Sequence, residues 1–188
     1  MKKLFVFCLA WLSVASFQTS AIEVADTQVA DTMQLEGVPA LVLNGAGVRT
    51  KFFMDLYVGG LYLPSKTKSV TEVLETDYAA INLTILSGLI TSEKMEDAIR
   101  EGFDDATHGN TASIATEIEQ FIGLFKDDIK VGDQFLLLFS KKDGVSAFKN
   151  QQLQATVGND AFRVALMNIW LGDEPAQNSL KKAMLNAK

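Results

Sequence analysis

One stretch of the chain, residues 41–64, constrains the fold more than any other. Its sequence is LVLNGAGVRTKFFMDLYVGGLYLP, with a short apolar run at Leu41–Leu43 and a longer one at Phe52–Leu63. Between them, Asn44–Gly47 contains two glycines, which adopt positive φ values that other residues disfavour. The pattern predicts a strand, a tight glycine turn and a long second strand.

Arg49 lies just after the predicted turn, beside the most apolar segment of the chain. A cation next to buried apolar surface needs a partner, because removing an unpaired charge from water is costly. The period of two along a strand places Arg49 on the same face as Tyr57. Spacing alone leaves open an ion pair with Asp55 or another carboxylate, a solvated strand end, or a ligand-binding role.

The same period divides the second strand into two faces. The opposite face carries charges together with Phe53, Leu61 and Leu63, so we expect it to be partly covered. The even-numbered apolar positions are predicted to belong to the core: Phe52, Met54, Leu56, Val58 and Tyr62.

The first residues have the three-part pattern of a secretory signal peptide. Two lysines precede the apolar run Leu4–Ala15, and the small residues Thr19–Ala21 offer a cleavage site. The run, about 12 residues long, is shorter than the roughly 20 that span a bilayer as a helix. We therefore expect a signal peptide at residues 1–21 and one mature domain at residues 22–188, exported to the periplasm without stable membrane insertion.

Composition excludes several classes of function. The chain has 17 basic and 23 acidic residues, and loss of the two signal-peptide lysines would move the net charge from −6 to about −8. That charge argues against nucleic acids and anionic membranes as partners. Cys8 belongs to the signal peptide and His108 is the single histidine, so we expect no disulfide, metal site, His-based triad or cofactor.

Hydrophobic periodicity and capping residues place the remaining elements. Residues 22–32 are polar and are predicted to be a loosely held lead-in. Predicted helices follow Ser69, follow Thr91 or Ser92, contain Ile114–Phe125, run from Asp160 to near Gly172, and start at Asp173–Pro175. Predicted strands cover Ala79–Leu86, Asp133–Ser140, Val145–Lys149 and Leu153–Val157. Strands that are neighbours in sequence, with helices between and after them, indicate an α+β domain with a largely antiparallel sheet.

Three segments together resemble the chalcone isomerase-like family. They are LNGAGVRTKFFMDLYVGGLYL at Leu43–Leu63, SEKMEDAIREGF at Ser92–Phe103 and IWLGDEPAQNSLKKAML at Ile169–Leu185. The resemblance implies an open-faced β-sandwich, in which helices cover one face of an antiparallel sheet and a ligand cleft lies between them. The family contains plant enzymes that close a chalcone to a flavanone, non-catalytic fatty-acid binders, and exported bacterial members. The predicted signal peptide is a feature that this chain shares with the third group.

The resemblance also implies roles for individual residues. Arg49 matches the arginine that holds the attacking phenolate oxygen in the enzymes. A threonine and a tyrosine that polarise the substrate ketone are replaced here by Tyr57 and Thr91, and an expected asparagine falls near Ala98. Losing a preorganised donor to an oxyanion costs roughly 100- to 1000-fold in rate. A guanidinium beside a hydroxyl still suits a carboxylate.

The leading hypothesis is an exported, non-catalytic protein that binds a fatty acid or similar amphipathic anion through Arg49, Tyr57 and Thr91. Thr91 also has a simpler explanation as a helix cap, and His108 and Trp170 as a loop residue and a packing residue. Two alternatives stay open: an intramolecular lyase of the chalcone isomerase type that uses Arg49, and an interaction protein whose cleft is filled by its own side chains.

Overall fold

The computed structural model describes residues 20–187. The predicted signal peptide therefore lies outside the described residues, except for Ser20 and Ala21. Within the described range, every helix is too short or too polar to cross a membrane.

The fold is built on a seven-stranded antiparallel sheet whose strands follow one another in chain order. A separate two-stranded hairpin, β1 and β2, precedes it. The strands are β1 (Ala21–Val24), β2 (Thr27–Ala30), β3 (Thr32–Met33), β4 (Leu41–Lys51), β5 (Met54–Leu63), β6 (Tyr78–Ile85), β7 (Gln134–Ser140), β8 (Gly144–Lys149) and β9 (Gln152–Val157). All sheet neighbours pair antiparallel, as the sequence predicts.

Five α-helices complete the described part of the domain: α1 (Val70–Glu75), α2 (Ser92–Thr107), α3 (Ala115–Ile122), α4 (Asp160–Leu171) and α5 (Asn178–Met184). Single 3-10 turns flank α3 at Ala112–Ile114 and Gly123–Phe125. Ser69 caps α1 and Thr91 caps α2 through their side-chain oxygens, as predicted. The predicted helix stripe is buried at each of its positions, Ile114, Ile118, Phe121, Ile122 and Phe125.

The sheet separates two hydrophobic cores. The larger one lies under the helices and contains Leu61, Ile81 and Leu137 of the sheet together with Phe103 and Leu166 of α2 and α4. The smaller one lies on the opposite face, where the β1–β2 hairpin covers Val58, Tyr62 and Ala80. This is the predicted α+β arrangement, an antiparallel sheet with helices on one face.

The predicted glycine turn at Asn44–Gly47 is wrong. Strand β4 continues through those residues to Lys51, and the chain reverses at Phe52 and Phe53, which have φ values of 51° and 64°. Gly45 and Gly47 are not among the residues with positive φ. The backbone conformation therefore does not explain why these two positions are glycine.

The cause is the close approach of helix α5 to β4. A Cβ atom on Gly45 would collide with the carbonyl oxygen of Ala183, and one on Gly47 would lie 2.6 Å from the Ala183 Cβ. Asn44, at a bulge in the strand, holds the same helix, because its side-chain amide donates to the Met184 carbonyl oxygen at 2.8 Å. The segment is a helix-packing surface.

The prediction for the even-numbered face of the second strand is correct only in part. Val58 and Tyr62 are buried, but Phe52 and Met54 lie at or beside the exposed hairpin tip. Leu56 has no partner across the ladder, because Arg49 pairs with Tyr57 and Thr50 with Asp55. Such a bulge redirects side chains, and Leu56 packs with Tyr57 on the helix side of the sheet.

Two further expectations are corrected. Residues 22–32 form the β1–β2 hairpin and the start of β3, anchored by buried Val29 and by the Tyr62 hydroxyl, which donates to the Ala30 carbonyl oxygen at 2.9 Å. The last helix starts at Asn178, after the acidic residues, because Gln177 keeps an extended backbone and its side chain bonds to β4.

Candidate ligand-binding site

A cavity of about 640 Å³ lies between the sheet and the helices. Strands β5, β6 and β7 form its floor, α2 and α4 form its walls, and the end of the β4–β5 hairpin lies at its mouth. Ligand sites of small molecules typically occupy about 300–1,000 Å³, so the volume suits a small molecule. The interaction-protein alternative predicts a cleft filled by the protein's own side chains, so a cavity beside Arg49 argues against it.

Aromatic and aliphatic side chains line the inner part of the cavity. Phe121 packs against Phe125 at 5.2 Å between ring centroids, and Phe125 packs against Phe135 at 5.1 Å. Each such pair stabilises the fold by about 0.5–1.5 kcal/mol beyond the contribution from burying its apolar area. These rings form a fixed apolar wall that offers no hydrogen bond to a ligand.

Arg49 lies at the mouth of the cavity and is half-buried. Its Nη1 donates to the Gln177 side-chain oxygen at 3.0 Å and to the Thr50 carbonyl oxygen at 3.2 Å. Among residues 20–187, no carboxylate forms an ion pair with Arg49, and its Nε and Nη2 groups make no hydrogen bond. A guanidinium has five N–H donors, so most of its donor capacity remains for another molecule.

The ion pair between Arg49 and Asp55, one of the alternatives that the spacing leaves open, is therefore not formed. Asp55 accepts a hydrogen bond from the Thr50 hydroxyl at 3.0 Å instead. Arg163, by contrast, is a structural arginine with a carboxylate partner. It is buried, its Nε donates to Asp160 at 2.6 Å, and its Nη2 donates to the Leu74 carbonyl oxygen at 2.8 Å. Within the described part of the chain, Arg49 has only neutral partners, which leave its positive charge uncompensated.

Tyr57 stands directly opposite Arg49 in the β4–β5 ladder and also lines the cavity. The two residues share a face as predicted, but on two strands rather than along one. The Trp170 Nε1–H donates to the Tyr57 hydroxyl oxygen at 3.0 Å. Burial raises the pKa of Tyr57, although the Trp170 hydrogen bond and the Arg49 charge act in the other direction. Tyr57 is therefore neutral at pH 7, and its hydroxyl proton can be donated to a ligand.

Helix α2 brings charged residues to the other side of the mouth. Lys94, Asp97, Glu101 and Asp105 line it, and all except Asp105 are exposed to solvent. Exposed charges interact weakly because water screens them. The half-buried Arg49 is the better-placed cation for an anionic group that reaches the apolar interior.

The structure does not bring Thr91 to the cavity. Thr91 is exposed, and its hydroxyl oxygen accepts from the Lys94 backbone N–H at 3.2 Å as the cap of α2. Its predicted ligand role has no support in this geometry. Ala98 lines the cavity but offers no polar side-chain atom, and His108 ends α2 with a left-handed backbone, exposed on the surface.

Two residues of the site, Gln177 and Trp170, are not indicated as site residues by the sequence. Gln177 bridges Arg49 and the Thr50 backbone N–H, which donates to the Gln177 side-chain oxygen at 2.9 Å. Trp170 positions Tyr57 from α4. Both contacts join residues that lie far apart in the chain, and no local pattern indicates them.

No set of His, Cys, Asp or Glu side chains within residues 20–187 is arranged to hold a metal ion. The half-buried donors at the mouth are a guanidinium and a phenol, which bind anions and oxygen acceptors. The arrangement fits a molecule with an anionic head and an apolar body.

Comparison with known proteins agrees with this fold. Residues 21–186 match the family model described as chalcone isomerase-like. The chain belongs to the chalcone isomerase-like family. Its structure is similar to the crystal structure of a fatty-acid binding protein from Arabidopsis thaliana, with a TM-score of 0.60 and 14% sequence identity, over 86% of this chain and 92% of that one. No curated protein sequence gives a significant match to this chain.

Proposed function

We propose that this protein binds a fatty acid or a similar amphipathic anion without transforming it. The acyl chain enters the apolar cavity, and the carboxylate lies at the mouth beside Arg49 and Tyr57. The observation that carries the proposal is this cross-strand pair, a guanidinium and a neutral hydroxyl with unused donors, at the entrance to an apolar cavity.

The binding energy would be divided between the two parts of the ligand. Apolar burial contributes about 25 cal/mol for each Å² removed from water, which favours long acyl chains with little discrimination among them. Charge-assisted hydrogen bonds contribute about 1.5–3 kcal/mol and select for a carboxylate. The similar Arabidopsis protein is a fatty-acid binding protein, which supports the same choice of ligand.

The proposal of a non-catalytic role rests on the side chains that stand where an enzyme needs donors. Ring closure of a chalcone requires donors to the developing enolate oxygen. Thr91 lies outside the cavity lining and the Ala98 side chain has no donor, so of these three positions only Tyr57 offers a hydroxyl to the cavity. A 2'-hydroxychalcone assay tests the isomerase alternative: we expect its absorbance to decline no faster than in buffer, and a faster decline that needs Arg49 would establish an enzyme.

We also propose that the protein is exported and acts in the periplasm after removal of residues 1–21. The lysine pair and apolar run at the start of the sequence support this location. Fractionation of the producing cells, with N-terminal sequencing of the mature protein, tests it.

Equilibrium titration with a fluorescent fatty-acid analogue tests the proposed site. We expect Arg49→Ala to weaken binding by about tenfold or more, because a charge-assisted hydrogen bond contributes about 1.5–3 kcal/mol. Lys142→Ala is a matched control, since it removes the same charge from an exposed turn between β7 and β8. Equal affinity of the two variants would contradict the role of Arg49.

A further inference from the structure

The turn between β4 and β5 combines two unfavourable features. Phe52 and Phe53 have φ values of 51° and 64°, in the left-handed region that asparagine and glycine adopt most readily in such two-residue hairpins. Phe52 is 82% exposed and Phe53 is fully exposed. Neither side chain contributes to the buried core, so folding alone does not account for two phenylalanines here.

The exposed apolar surface is concentrated at this end of the molecule. Seven large hydrophobic residues are exposed among the described residues, and four of them are Phe52, Phe53, Met54 and Leu89. Phe52, Met54 and Leu89 also line the cavity. The apolar surface of the tip is therefore continuous with the mouth of the cavity.

Charges of both signs lie beside the tip: Lys51 and Lys94 complement lipid phosphate groups, whereas Asp97, Glu101 and Asp105 of α2 line the same mouth. The Lys51 ammonium lies 5.9 Å from the centroid of the Phe52 ring, and Lys94 is exposed at the same mouth. Asp55, the acidic residue nearest in sequence, accepts a hydrogen bond from Thr50. Aromatic side chains next to lysine are typical of segments that lie at the boundary between headgroups and acyl chains.

We propose that the hairpin tip, Lys51–Met54 together with Leu89, docks on a lipid surface. The two phenylalanines insert among the headgroups, and Lys51 meets their phosphates. A protruding two-residue turn reaches only the outer boundary of a bilayer, so docking is peripheral and reversible. Docking of the protein on a lipid surface does not depend on ligand binding. A role for docking in exchanging a fatty acid with the membrane rests on the proposed function.

Apolar insertion must supply most of the attraction, because the chain as a whole is acidic. Zwitterionic vesicles are therefore the appropriate probe. Partial burial of two phenylalanines corresponds to about tenfold or more in partition onto the vesicles, since apolar burial is favourable in proportion to the area removed from water.

Flotation of the protein with phosphatidylcholine vesicles, in the absence of fatty acid, tests the proposal. We expect the wild-type protein to float with the vesicles and the double variant Phe52→Asn with Phe53→Gly to lose about tenfold in partition. The double variant retains the turn geometry, and relief of the backbone strain should raise its urea midpoint. Loss of vesicle binding therefore cannot be explained by unfolding.

The matched control is Val131→Ser with Leu153→Ser, which removes two exposed hydrophobic residues elsewhere and should leave flotation unchanged. Three results would overturn the proposal: no flotation of the wild-type protein, equal flotation of the tip variant, or a wild-type dimer in light scattering that the tip variant abolishes. Failure of fatty-acid binding is measured separately by the titration without vesicles, so the two ideas can fail independently.

Discussion

The two halves of the β4–β5 hairpin belong to one ladder and serve different purposes. In the inner half, residues 41–47 and 59–63, the side chains are mostly buried and helix α5 packs directly on the backbone. In the outer half, residues 48–58, the same strands carry Arg49, Tyr57 and the exposed tip. The inner half holds the fold together, and the outer half presents the site.

The difference arises from where the C-terminal segment contacts the sheet. Helix α5 covers Gly45, Gly47 and Gly59 of the inner half, whereas Gln177, the residue before the helix, forms hydrogen bonds to Arg49 and Thr50 of the outer half. Stability and binding are thus separable within one hairpin, and substitutions should show this.

The largest effect is expected for Gly45→Ala in the inner half. The added methyl group would collide with the Ala183 backbone carbonyl, which cannot move without displacing α5. Overpacking of this kind costs about 3 kcal/mol of unfolding free energy, measured by urea denaturation. Gly88→Ala is the control, because a Cβ at Gly88 meets no atom within 4 Å. Equal midpoints for the two variants would show that α5 does not pack as described.

A smaller effect is expected for Gln177→Leu, which acts on the outer half. The variant loses the hydrogen bonds to the Arg49 guanidinium and the Thr50 amide. We expect a loss of about 1–2 kcal/mol in unfolding free energy and a weaker fatty-acid affinity, since Arg49 is no longer held in place. Gln120→Leu, the same change at an exposed position of α3, should keep the affinity near that of the wild-type protein. An unchanged affinity in Gln177→Leu would remove its positioning role.

Two tyrosine variants compare the halves directly. Tyr57→Phe and Tyr62→Phe each remove one hydroxyl that has a hydrogen-bond partner. Both should lose about 1 kcal/mol of unfolding free energy. Only Tyr57→Phe should weaken fatty-acid binding, by about fivefold, because Tyr57 lines the cavity beside Arg49 and Tyr62 does not. If Tyr62→Phe weakened binding as much, the effect would be on folding rather than on the site.

The last effect is expected only in alkaline solution. Burial and the nearby Asp31 charge raise the pKa of Tyr62 to about 12, above its ordinary value near 10. The folded state thus holds this proton more tightly than the unfolded chain. The stabilisation is complete below about pH 10 and is lost as the pH rises towards about 12. Thermal unfolding across this pH range should show a shallower decline for Tyr62→Phe, and identical slopes would contradict the assignment.

Much of the fold follows from local patterns, and the errors follow from long-range contacts. The Ser69 and Thr91 caps and the buried stripe from Ile114 to Phe125 were predictable because caps and the helical period act within a few residues. The glycines around Ala46 permit either a turn or a close helix contact, and only the helix at the far end of the chain decides between them.

The candidate site was predictable to a similar extent. The strand period predicted a common face for Arg49 and Tyr57 along one strand, and they do share a face, but as partners on two strands, because the turn lies at Phe52 and Phe53. Gln177 and Trp170 could not be predicted, since their contacts form only when α4 and α5 fold back onto the sheet. A hairpin turn at two phenylalanines is also contrary to turn preferences, which favour asparagine and glycine.

The most direct test of the central claim compares palmitate with methyl palmitate as ligands of the wild-type protein and of Arg49→Ala. The two ligands share the acyl chain, so the difference in their affinities isolates the contribution of the carboxylate. If Arg49 holds that group, the wild-type protein should prefer palmitate by about tenfold or more, and the variant should bind both equally. The same preference in both proteins would contradict the assignment of Arg49 as the anion-binding residue.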